Sequence, residues 1–153
     1  MNSTKTAESA LRGLGVCCAV GNVVLHGLLV PDHLEEKFYV GILFAVGSVV
    51  VLVVAVGLVV AKRPLVAWLT GSLVSLGVII GFVLSRTVGL PDGYYEPGWE
   101  SPYGPLSLLV EGLFVLAFLA WLGGGTANGT ALRGEYVPDH ERITPAQGSS
   151  KRR

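Results

Sequence analysis

From residue 38 to residue 61 the chain is built of Val, Leu, Gly, Ala and a few Ile, Phe and Tyr residues, with one serine and no charge. As a helix this segment rises about 36 Å at 1.5 Å per residue, enough to cross the ~30 Å hydrocarbon layer of a bilayer. It has no polar face to turn towards water, so it needs apolar surroundings on every side. Valines 49 to 51 and 53 to 54 favour strands locally, but the length and the lack of turn residues decide for a helix. In lipid a lone strand would also leave its backbone groups unpaired.

Three further segments share this character, at 10–30, 64–85 and 103–122. Pro64 opens the third, at a position where a missing N–H does no harm. The expected fold is therefore all-α, a four-helix transmembrane bundle over residues 1–123. Gly123, Gly124 and Gly125 are expected to end the last helix, and 124–153 to form a disordered cytoplasmic tail. Composition agrees. Only 14% of the 153 residues are charged and the mean hydropathy is +0.60, whereas a soluble domain is about a quarter charged. A net charge of zero gives no electrostatic reason to expect nucleic acid as a partner. The first apolar segment follows a short basic start, as a signal peptide would. It is longer than the usual apolar region of one and ends in Pro31, Asp32 and His33 with no small-residue cleavage site, so it reads as a retained helix.

Basic residues set the expected orientation. Nine of the eleven (Lys5, Arg12, Lys62, Arg63, Arg133, Arg142, Lys151, Arg152 and Arg153) fall on one side of a four-span arrangement, and only Lys37 and Arg86 on the other. The positive-inside rule then places both termini in the cytoplasm and the protein in the plasma membrane. Trp68 and Trp121 would lie at the cytoplasmic boundary, and Phe38, Tyr39, Tyr94, Tyr95, Trp99 and Tyr103 at the outer one. The connections at 31–37 and at Lys62–Arg63 are short and force antiparallel neighbours. The connection at 86–102 is rich in Gly, Pro and aromatics and reads as an ordered extracytoplasmic cap loop. Gly71 and Ser75, like Gly77 and Gly81, are four residues apart, a small-residue spacing that lets helices approach closely. Cys17 and Cys18 are adjacent, about 100° apart on a helix, and read as packing residues.

The ionisable residues inside the spans carry the functional question. Asn22 and His26 share one face of the first helix, and Ser107 and Glu111 share one face of the fourth. His26 lies about 6 Å below the outer end of its span and Glu111 about 8 Å below, while Arg86 closes the third span on the same side. The cluster Asn22, His26, Arg86 and Glu111 reads either as a polar clasp between helices or as an outward-facing ligand pocket, with Glu111 pairing to Arg86 or His26. His26, His33, Glu35 and Glu111 also supply the ligand types of zinc or copper, so a metal ion is one candidate occupant. Proton or small-solute handling as an oligomer is another reading, because a His–Glu pair is what proton relays use. Haem is not supported, since His26 is the only histidine inside a span. No nucleophile with its base, no redox Cys pair and no HExxH helix argues for an enzyme.

Ser85-Arg86-Thr87-Val88-Gly89-Leu90-Pro91, followed by an acidic loop and then Glu111, resembles a widespread group of short prokaryotic four-helix membrane proteins. His26, Pro31-Asp32-His33 with Glu35 or Glu36, and Gly41-Ile42-Leu43-Phe44 match the group's other features, over roughly residues 20 to 120. Asp92-Gly93-Tyr94-Tyr95 departs from its more usual Gly/Pro/His run. The resemblance implies the architecture and the choice of residues, and no activity. Beside the ligand-binding reading stands that of a structural subunit of a larger membrane complex, with a membrane partner or a second copy of the chain against the small-residue stripes.

Overall fold

The computed structural model describes residues 3–99 and 101–134. Four long helices make up the described chain: α1 (Ser3–Glu36), α2 (Phe38–Val60), α3 (Leu65–Thr87) and α4 (Tyr103–Gly134), with a short 3-10 turn at Pro91–Gly93 between the last two. All four are long and apolar enough to cross a membrane. They form a ring in which each helix packs on its chain neighbour and α4 closes back onto α1. Large apolar side chains such as Val53, Val59, Val66 and Leu73 cover the outside of the ring, as a lipid-facing surface requires.

Two helix ends differ from the sequence expectation. α1 does not stop near Val30 but runs through Pro31 to Glu36. Proline costs a helix one backbone hydrogen bond, and in the same turn the His33 side chain adds a bond from Nδ1 to the Leu29 carbonyl at 2.9 Å. The first connection is therefore Lys37 alone, in an extended conformation. Gly41 is what permits so tight a turn, because a Cβ there would lie 2.7 Å from the Leu34 backbone nitrogen. α4 likewise continues through its three glycines to Gly134. Glycine weakens a helix by about 1 kcal/mol per residue relative to alanine, but it keeps the N–H that propagates it. The remainder of the expected tail, 135–153, lies outside the described residues.

The dry core fills the half of the bundle nearer the α2–α3 connection. Trp68 has no exposed surface and packs on Phe114, Phe118 and Trp121 at ring separations of 5.2, 6.0 and 6.2 Å. Trp68 is thus a core residue and not the boundary anchor its position suggested. Gly15 makes room for it, since a Cβ there would come within 2.5 Å of the indole. Gly71 lies against Phe114 and Val54, and Ser75 is buried. Gly77 and Gly81, read from the sequence as helix-contact residues, meet no helix of the same chain, with nothing within 4 Å of an added Cβ. Cys18 belongs to the core while Cys17 faces outward.

At the opposite end the α3–α4 connection folds over the bundle. Gly89 (φ +82°) and Gly93 (φ +70°) take left-handed conformations that favour glycine, and Asp92 (φ +63°) joins them. Leu90 N–H donates to the Tyr94 carbonyl at 2.7 Å, and Glu96 N–H to the Ser85 carbonyl at 3.0 Å. Lys37 Nζ donates to Asp92 and Tyr39 Oη to the Pro91 carbonyl, which ties the loop to the start of α2.

Candidate functional site

The polar faces of α1 and α4 meet inside the bundle. The Asn22 side-chain amide donates to Glu111 Oε1 at 3.1 Å. His26 Nε2 lies 3.1 Å from Ser107 Oγ and 3.4 Å from the same Glu111 oxygen. Four-residue spacing on each helix puts one polar side chain per turn on the shared seam, so the two pairs interlock. All four residues are buried, Glu111 completely. Glu111 Oε2 and Asn22 Oδ1 have no hydrogen-bond partner among the described residues.

His26 also forms part of a cavity wall. A cavity of about 390 Å³ lies between α2 and α3, with His26, Leu29 and His33 of α1 and Ser107 of α4 behind it. His26 Nε2 is turned towards Ser107 and Glu111. His33 lines the same cavity, because α1 is continuous through Pro31 and residues seven apart return to nearly the same face. Phe44 bridges the two imidazoles, with ring centroids 4.7 Å from His26 and 4.4 Å from His33.

The structure separates Arg86 from the role expected of it. Glu111 is reached from α1, while Arg86 ion-pairs with Glu96 of the loop at 3.3 Å and donates from Nε to the Gly98 carbonyl at 2.8 Å. The guanidinium also covers the Phe82 ring at 3.6 Å. The physical reason is level: Arg86 ends α3 beside the loop, and Glu111 sits two turns inside α4. Both Arg86 and His26 still border the cavity.

The metal reading fails on geometry. Among the described residues no group of three or more His, Cys, Asp or Glu side chains is placed to hold an ion. Glu35, nine residues after His26 on one unbroken helix, points to the opposite face and is exposed. His33 commits Nδ1 to the Leu29 carbonyl. His26, His33, Glu35 and Glu111 therefore do not converge.

The sequence left most of the aromatic part of the site unread. Phe44, Phe82 and Tyr94 line the cavity; Phe44 entered the sequence reading only through the Gly41–Phe44 motif, Tyr94 as a boundary residue, and Phe82 not at all. The available signal was that Phe44, three residues past the tight-turn Gly41, faces back onto α1 as that turn dictates. No family model, no curated protein and no solved structure matches this chain.

Proposed function

We propose that this chain is a multi-pass plasma-membrane protein with both termini in the cytoplasm, and that the outer half of its bundle binds a small ligand. The orientation rests on the uneven basic residues, nine of eleven on one side. In a cysteine-free background, Asp92→Cys is expected to react with a membrane-impermeant maleimide in intact cells, and Lys62→Cys only after lysis. The reverse pattern would overturn the orientation.

Ligand binding rests on one observation: His26, held by Ser107 and Glu111, lines a cavity of about 390 Å³. The volume lies within the ~300–1,000 Å³ usual for ligand sites. Asn22, Ser107 and Glu111 hold the ring in place, and Arg86 with Glu96 closes the outer end. A second reading has its own support: the Asn22–Glu111–His26 bonds join α1 to α4, so the cluster also serves as a clasp. Small-molecule mass spectrometry of protein purified from its native membrane separates the two. A retained compound that is lost in Glu111→Gln and His26→Ala supports the ligand. Variants that change only the melting temperature leave the clasp alone.

A further inference from the structure

The cavity is a slot with two chemically different ends. Its lateral walls are Leu43, Val46, Gly47 and Val50 of α2 and Val74, Gly77 and Val78 of α3. Leu43 and Val46 line it while also exposing 63% and 56% of their surface on the outside of the bundle. The gap between α2 and α3 thus opens sideways, where the acyl chains lie. Gly47, Gly77 and Gly81 keep it open, with nothing within 4 Å of an added Cβ. From Val74 to Arg86 the slot runs about 18 Å along α3, slightly more than half of the ~30 Å hydrocarbon layer. The deep end is valine and glycine. The outer end is aromatic and polar, formed by His26, His33, Phe44, Phe82, Tyr94 and Ser107.

We propose that this slot binds an isoprenoid quinone or quinol, with the ring at the aromatic end and the apolar tail leaving between α2 and α3. The inference rests on the ligand-binding reading and gives it a chemical class. A flat ring suits a site walled by Phe44, Phe82 and Tyr94, since aromatic faces pair in offset or tilted stacks. Its oxygen substituents suit His26. His26 lines the cavity, and an imidazole can accept from a quinol hydroxyl or donate to a quinone carbonyl. Ser107 and Glu111 fix the ring orientation. An acyl chain brings no hydrogen-bonding group for His26. A phospholipid headgroup belongs at the boundary, whereas His26 lies ten residues, about 15 Å, before the end of α1 at Glu36.

The test uses the full-length protein in quinone-free phosphatidylcholine nanodiscs, titrated with decylubiquinone and with menaquinone-2, each oxidised and reduced. Quenching of tryptophan fluorescence is read against empty discs. Saturable binding near one per protein is expected for at least one compound, at least tenfold weaker in His26→Ala. It should be abolished in Gly77→Leu/Gly81→Leu, which fills open space away from the polar cluster and is expected to melt like the parent. That double variant keeps the test decisive if His26→Ala does not fold. Quenching no stronger than in empty discs, or binding that the double leucine variant leaves intact, would overturn the proposal. Mass spectrometry of the native extract distinguishes the two levels. A stoichiometric amphiphile of another class, lost from the double leucine variant, overturns the quinone and leaves ligand binding standing. No retained compound and no titratable binding overturns both.

Discussion

His26→Ala is expected to destabilise the bundle by about 1–3 kcal/mol, the cost of leaving a buried polar group without its partner. Glu111 is fully buried, and Asn22 supplies its other hydrogen bond. Glu111→Gln is expected to cost less, about 1 kcal/mol, because its carbonyl oxygen can take the place of Oε1 and still accept from Asn22. The double variant His26→Ala/Glu111→Gln should then lose less than the sum of the single changes, since each change already removes the contact between the two side chains. Reversible unfolding in mixed micelles, run as a double-mutant cycle, measures this coupling. A His26→Ala loss below about 0.5 kcal/mol would mean that the two side chains are not coupled.

The second large effect lies at the other end of the bundle. Trp68→Ala is expected to lose about 3–5 kcal/mol, as large-to-small changes in a packed aromatic core do. The indole fills the space among Phe114, Phe118 and Trp121 and lies against the bare backbone of Gly15. Gly15→Leu alone should also be destabilising, because its side chain would occupy the volume of Trp68. Together the two changes should cost clearly less than their sum, since the new leucine fills the cavity left by the indole. Strict additivity in thermal melts would show that Gly15 and Trp68 do not share that space.

The number of helices, their approximate spans and the polar residues that matter were legible from the sequence, because hydrocarbon imposes a length and a polarity limit that can be counted along the chain. Helix ends were less so. Pro31 and the three glycines at 123–125 looked like stops, but each weakens a helix by an amount that neighbouring turns offset. The partner of Glu111 was legible only as a choice between His26 and Arg86. Depth along the helices brought both within range, and depth is all that residue counting supplies.

The sequence by itself determined that the chain is a bundle of apolar helices with Asn22, His26, Ser107 and Glu111 on two inward seams. Periodicity and transfer energy are local properties, and they suffice for that. Only the tertiary structure decided that α1 meets α4 at those seams, that Arg86 turns to Glu96, and that Gly77 and Gly81 border a slot and meet no helix of the same chain. Those outcomes depend on how the helices are rotated and how far apart α2 and α3 stand. In a bilayer, where one apolar surface is nearly as good as another, side-chain shape and a few buried hydrogen bonds set that rotation.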